Sequence, residues 1–363
     1  MGSIRIQSCL TTPRSGRAPG LDTSAFDFVL PPELIAQEAA QPRDASRLLV
    51  VRRDSATWEH RAFADLPELL TLGDVLVRND SKVVPARLVG VRGATGGRWE
   101  GLYLRTLLDG NWEVLAKTRG RPEVGERVVV GQGLKLILLD RLGQGRWAVR
   151  PDGEAGTAEA LLEAHGSVPL PPYIRKGVEA TGDRARYQTV YARVPGSVAA
   201  PTAGLHFTPE IFERLDRRGI GRVDLTLHVG IGTFRPIEAS RIEDHTLHAE
   251  FAELSAEAAS TLNERKDAGG RVVAVGTTSA RVLEASSVLG RFAPFRGETA
   301  LYIQPGHVFG GVDALLTNFH LPRSSLLVLV SALAGVALIR DAYAEAVRER
   351  YRFYSYGDAM LIL

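Results

Sequence analysis

The sequence predicts an α/β protein with a small antiparallel β-barrel, and three observations predict it. Residues 88–149 break into five short β runs, 101–107, 112–116, 127–130, 135–139 and 146–149, separated by turn residues that include the hairpin signal Asp109-Gly110-Asn111. Elsewhere strand-like apolar runs alternate with helices, as where residues 225–229 and 271–275 flank a helical pattern over 255–268. Three of these strands run into polar loops, and in α/β folds ligands gather at the carboxyl ends of strands.

Length and composition narrow the function classes. At 363 residues the chain exceeds one ordinary domain, so a core divided between two domains is expected. Hydrophobic residues at 45% and charged residues at 24% match a soluble globular protein. The longest largely apolar run, 326–339, has 14 residues, short of the roughly 20 a bilayer needs, so no membrane is expected. Cys9, the single cysteine, excludes an internal disulfide framework, a thiolate zinc cluster and an iron–sulfur site, and it suits the cytoplasm. Residues 1–23 lack the apolar stretch of a signal peptide and have the composition of a disordered leader. The net charge of +2 neither demands nor rules out nucleic acid, but residues 72–154 hold 14 Lys and Arg against 10 Asp and Glu. A slightly basic small barrel fits a nucleic-acid platform and fits a structural insert equally well.

In chain order, two prolines stop regular structure in 26–34, and a strand follows over 46–51, flanked by Arg43, Asp44 and Arg47, which read as a local ion pair. A second strand over 75–78 is closed by the turn Asn79-Asp80-Ser81 and leads to Arg87. After the barrel come a helix over 157–165, a stiff proline-rich link over 169–175 with an aromatic set in it, and a strand pattern over 187–191. His206 precedes a well-signalled helix: Thr208 as N-cap, Pro209 at the first position, Gly219 as the stop. A histidine beside a helix N-terminus loses basicity, so a neutral imidazole is expected there, binding or shuttling a proton, or else satisfying a backbone carbonyl.

The strand over 225–229 ends at His228 and is followed by Gly230, Gly232 and Thr233, whose glycines permit close approach to a ligand. His245 and His248 stand three apart between acids, a spacing that matches no standard metal motif, so no metal is expected. The strand over 271–275 runs into Gly276-Thr277-Thr278-Ser279 and a helix start, which offers hydroxyls and backbone N–H groups to a carboxylate or phosphate. Finally, Leu315 and Leu316 end a buried strand, residues 317–322 form a polar turn carrying Asn318 and His320, and residues 326–339 read as a helix buried on every side. If these strands are neighbours, their loops form one pocket of imidazoles and neutral donors suited to acid–base chemistry on a nucleoside-sized ligand.

Ten ordered blocks carry a resemblance: FDFVLPPELIAQ, RDASRLLVV, VLVRNDSKVVPARL, PLPPYI, RYQTVYAR, VAAPTAGLHFT, TLHVGIGTFRPI, VGTTSARVLE, LLTNFHLPRSSLLVLVSALAG and YRFYSYGDAMLI. Together they resemble the S-adenosylmethionine:tRNA ribosyltransferase-isomerases of queuosine biosynthesis, from Phe26 to Ile362. The chain departs from that family's usual pattern at Gln304 and His307, at Leu247, at Ser81-Lys82 and in its leader.

The resemblance implies an α/β catalytic domain with an inserted β-barrel domain; beside the leader over 1–23 read from composition, the expected bounds are 24–74 and 157–363 for the catalytic domain and 75–156 for the barrel. It implies S-adenosylmethionine as co-substrate, tRNA with an aminomethyl-deazaguanine wobble base as partner, and epoxyqueuosine-tRNA, adenine and methionine as products. It leaves monomer and weak homodimer both open. A sulfonium acidifies the adjacent ribose methylene, so the chemistry needs a base, an acid for adenine and an electrostatic cradle. Acid–base roles are assigned among His206, His228, His320 and Asp80. Thr277, Thr278 and Ser279 are expected to hold the methionine carboxylate or ribose hydroxyls, and Arg87 and Arg281 to contact anions. Thr202, Gly230, Gly232, Thr233 and Asn318 are expected to complete the substrate site.

Overall fold

The structure is a computed structural model that describes residues 20–131, 133–153, 156–230 and 236–363. The chain opens with the hairpin β1 (Arg47–Arg52) and β2 (Thr57–Ala62), a short helix α1 (Leu66–Leu69), and the strands β3 (Val75–Asn79) and β4 (Ser81–Val83). Then follow β5 (Arg87–Arg92), β6 (Arg98–Thr106), β7 (Trp112–Thr118), β8 (Arg127–Val130), β9 (Leu134–Gly143) and β10 (Arg146–Asp152). Helices α2 (Ala158–His165) and α3 (Asp183–Arg186) and strand β11 (Val194–Ser197) lead to α4 (Pro209–Arg217), β12 (Gly221–Leu227) and β13 (Glu250–Leu254). Next are α5 (Ala256–Asp267), β14 (Val272–Val275), α6 (Gly276–Ser286), and the strands β15 (Ser287–Val288), β16 (Arg291–Phe292), β17 (Phe295–Thr299) and β18 (Ala314–Asn318). The chain closes with α7 (Ser325–Ala334), α8 (Val336–Arg348) and β19 (Ala359–Ile362).

Nine strands form a central mixed sheet in the order β17-β13-β12-β3-β14-β18-β19-β1-β2. Its middle, β12 to β18, is parallel. Strands β3, β14 and β18 there are buried along their whole length and are built largely of Val, Leu and Ala, which is what a parallel arrangement demands. Alternation divides them: Val75, Val77, Leu225 and Ala274 join the core that includes α5 to α8, while Leu76, Val273 and Val275 join the smaller core under α4.

Strands β5 to β10 close into a six-stranded antiparallel barrel. Trp99, Trp112 and Trp147 fill it together with leucines and valines, and Leu161 and Leu162 of α2 pack against them. Gly101 is required here: a Cβ at that position would stand 2.1 Å from the Trp99 ring. The outgoing β4 and the returning β11 pair in parallel, tying the two connections between barrel and sheet together.

Several expectations are corrected. The strand over 75–79 belongs to the middle of the central sheet, between β12 and β14, so the barrel begins at Arg87 and not at residue 75. Through residue 19 the expected leader lies outside the described residues; residues 20–23 are already tied to the fold, Leu21 N–H donating to Glu243 at 2.8 Å and Thr23 N–H to the Ser240 carbonyl at 2.9 Å. Residues 187–191 form turns, not a strand, because Gln188 spends its side chain on both backbone groups of Val83 and its carbonyl on Arg43. Nor do Arg43 and Arg47 form a local ion pair: Arg43 binds backbone carbonyls of 185 and 188, and Arg47 binds the Glu349 carbonyl while lying 3.7 Å over the Tyr351 ring. The apolar run after Ser324 is two helices bent by 116° at Gly335, and no single helix among the described residues is long and apolar enough to cross a membrane.

Candidate active site

Because β12, β3, β14 and β18 are parallel, their carboxyl ends share one edge of the sheet. After β14 the chain enters α6 at Gly276, whose φ of +88° suits glycine, and brings Thr277 and Thr278 to that edge. Strand β18 ends at Asn318, and Phe319 and His320 follow it. These two loops, with Val229 after β12 and the turn of Thr202, line one pocket, and Tyr173, Tyr354 and Ser355 line it too. Five predicted residues thus meet: Thr202, Thr277, Thr278, Asn318 and His320.

A chain of hydrogen bonds fixes the polar side of the pocket. Thr202 Oγ1 donates to Asn318 Oδ1 at 2.8 Å, Asn318 Nδ2 donates to His206 Nε2 at 3.1 Å, and His206 Nδ1 is 2.8 Å from Ser46 Oγ. An amide nitrogen only donates, so His206 must accept at Nε2 and carry its proton on Nδ1, directed at Ser46. The ring also stacks on Phe63 with centroids 5.0 Å apart. Burial first, then Arg352 and Arg43, lower its pKa to about 3, so it is neutral. The expected neutrality holds, but with a different main cause, burial in place of the helix terminus. Both ring nitrogens are engaged, which holds the imidazole against Asn318 on one side and Ser46 on the other.

His320 is buried at the pocket wall, its Nε2 2.8 Å from Thr317 Oγ1 and its backbone N–H donating to the Tyr343 hydroxyl at 3.0 Å. Burial lowers its pKa to about 3. Thr278 Oγ1 is buried without a hydrogen-bond partner among the described residues. A buried hydroxyl left unsatisfied on a pocket wall has its donor and acceptor capacity open to a ligand or a water. Ser279, by contrast, is fully buried and donates to the carbonyl of Val275, the last residue of β14, at 2.8 Å.

The remaining candidates stand elsewhere. Arg281 is buried and directs its guanidinium to Glu250 and to the carbonyls of Leu301 and Thr299. Arg87 binds the Gly177 carbonyl and Glu100 at the barrel junction. Asp80 follows β3 and accepts from Arg193 Nη2 and Thr226 Oγ1, both at 2.7 Å. His228 follows the neighbouring β12, faces the opposite way from Val229, and stacks on Phe251 at 5.6 Å; burial lowers its pKa against the opposing pull of Asp80. His228 and Asp80 therefore form a separate cluster and do not converge with Thr278 and His320. Gly230 N–H donates to Glu250 Oε1 at 2.7 Å and lines a neighbouring cavity. Gly232 and Thr233 lie outside the described residues.

Sequence reasoning missed Tyr173, Ser355 and Ser46. Tyr173 hydroxyl is 2.7 Å from Ser355 Oγ and its ring is 4.6 Å from that of Tyr354. The tyrosine set in the proline-rich link was a signal for Tyr173. Nothing local marks Ser46, which meets His206 across 160 residues of sequence.

Known proteins resemble this chain closely. The family model described as queuosine biosynthesis protein matches residues 23–362. An S-adenosylmethionine:tRNA ribosyltransferase-isomerase of Symbiobacterium thermophilum is 53% identical over 342 residues, 94% of this chain and 99% of that protein. Its namesake in Anaeromyxobacter sp. is 51% identical over 342 residues, 93% of this chain and 98% of that protein. The crystal structure of S-adenosylmethionine tRNA ribosyltransferase from Thermotoga maritima, 39% identical, matches with a TM-score of 0.55 and covers 94% of this chain and 100% of that one.

Proposed function

The chain belongs to the queuosine biosynthesis protein family, the S-adenosylmethionine:tRNA ribosyltransferase-isomerases, and on that premise we propose the reaction its pocket performs. The ribosyl part of S-adenosylmethionine is transferred to the aminomethyl group of a deazaguanine at the tRNA wobble position and isomerised. Adenine and methionine leave, and epoxyqueuosine-tRNA remains. We place the reaction in the cytoplasm with its tRNA, and as written it requires no metal.

The observation that carries this reading is the meeting of the loops after β12, β14 and β18 on one pocket of hydroxyls, an oriented amide and a neutral imidazole. His320 is the base in this reading. Its pKa of about 3 records the difficulty of adding a positive charge to a buried imidazole. With a sulfonium bound, the charge is already present. Moving a proton from the carbon beside sulfur to His320 leaves a neutral ylide and an imidazolium, so the pocket's total charge is unchanged. The obstacle that depresses the pKa then largely cancels. Loss of adenine, addition of the amine and a ring rearrangement that expels methionine complete the sequence. Thr277 and Thr278 hydrogen-bond the sulfonium substrate, and Asn318 with Thr202 presents a fixed donor and acceptor to the reacting nucleoside.

The test is adenine release measured with and without tRNA carrying the aminomethyl base. Release only with tRNA is expected; release without tRNA would mark an enzyme of free nucleosides, and none in either case a binding protein. His320→Gln is expected to lower kcat by about 10²–10⁴-fold, the usual contribution of a general base.

A further inference from the structure

A second cavity, of about 280 Å³, lies where the barrel meets the central sheet. Its walls are apolar and stiff: Leu102 and Leu115 from β6 and β7, and Pro169, Pro171 and Pro172 of the link. Arg87, Lys117 and Glu100 add one net positive charge. Arg87 is engaged by Gly177 and Glu100, whereas Lys117 is exposed and enters no ion pair among the described residues.

This cavity and the pocket share a partition. Ala199 lines the cavity and Ala200 the pocket; Gly230 lines the cavity and Val229 the pocket. The two segments are tied together, Val198 N–H donating to the Val229 carbonyl at 3.2 Å and Val229 N–H to Ser197 Oγ at 3.0 Å. Successive Cα atoms are about 3.8 Å apart, so the two spaces are separated by little more than the thickness of a backbone.

We propose that this cavity takes the base of a nucleotide next to the one being modified, an inference that rests on the tRNA reading above. Drawing the wobble base into the pocket unstacks it from its neighbour, which costs on the order of a few kcal/mol. Proteins that read RNA loops grip such splayed bases on flat side chains and track the backbone with cations. The proline and leucine walls restore apolar contact to the neighbour, Lys117 meets its phosphate, and Glu100 accepts from its donor edge. The volume, just under the roughly 300 Å³ where ligand sites begin, admits one such ring.

The experiment uses an anticodon stem-loop carrying the aminomethyl base and two further stem-loops, abasic at the 5′ or the 3′ neighbour. With the unaltered enzyme, one abasic RNA raises KM by about tenfold. Leu115→Trp, which fills the cavity, raises KM for the intact RNA and erases the difference between intact and abasic RNA, with S-adenosylmethionine binding by equilibrium dialysis unchanged. Lys117→Glu, at an exposed position, weakens RNA binding and makes its salt dependence shallower by about one ion. Equal KM for all three RNAs with turnover intact, or an intact-to-abasic difference that survives Leu115→Trp, overturns the proposal while leaving the reaction in place. Absence of adenine release from the unaltered enzyme with any RNA overturns both.

Discussion

Asn318 has one carbonyl oxygen and two N–H donors in its side chain, and the protein has committed the oxygen to Thr202 and one N–H to His206. What remains is one N–H and one acceptor site of the oxygen, both of fixed direction at the pocket wall. An imidazole that accepted and donated in alternation would leave that amide free to flip, so the neutrality of His206 is part of the geometry. His206→Gln retains an acceptor oxygen and is expected to keep most activity, whereas His206→Leu leaves the amide unpartnered and should lower kcat by about tenfold with the KM for S-adenosylmethionine little changed. The pH profile of kcat should be the same in His206→Gln as in the unaltered enzyme, because this histidine does not titrate near neutrality; a shifted profile in steady-state assays would return it to a proton-transfer role. The turn that bears Asn318 and His320 was readable from a buried strand followed by polar residues. That His206 serves one of them was not, since the link passes through Ser46 and through space.

At the scale of elements, a glycine decides the shape of the last apolar run. Residues 326–339 carry a helical composition throughout, and composition alone reads them as one helix. Gly335 has φ +91° and ψ 139°, outside the region other residues tolerate, and there the chain turns by 116° into α8. Gly335→Ala should therefore lower stability by about 1–3 kcal/mol, read from urea midpoints, with the loss falling on the packing of α7 against α8. A midpoint equal to that of the unaltered protein would mean the bend is imposed by tertiary contacts and not by this residue. The same limit of local signals explains β3. A short buried strand looks identical whether it joins a barrel or a sheet, and only pairing with β12 and β14, whose residues come about 150 and about 200 positions later, assigns it. The barrel itself was legible because hairpins pair neighbours in sequence.

For the molecule as a whole, the buried histidines couple folding to pH. His206 and His320 both have pKa values lowered from 6.5 to about 3 by burial. In the unfolded chain each takes up a proton as pH falls below about 6.5, while in the folded chain each stays neutral down to about 3. The unfolded state thus binds more protons in that window, and stability rises with pH across it and levels off above it. Burial lowers His228 and His245 as well, in the same direction. Two fully coupled groups give a slope of up to about 2.7 kcal/mol per pH unit near the middle of the window. Urea midpoints measured from pH 7.5 to pH 5 should fall steadily, ahead of the more acidic range where carboxylates begin to protonate. His206→Gln should remove about half of that slope at pH 5, because it deletes one of the two principal proton-uptake sites without opening a large void. A pH dependence unchanged by His206→Gln would show that His206 is protonated in the folded state, and the neutral chain from Ser46 to Thr202 would then have to be abandoned.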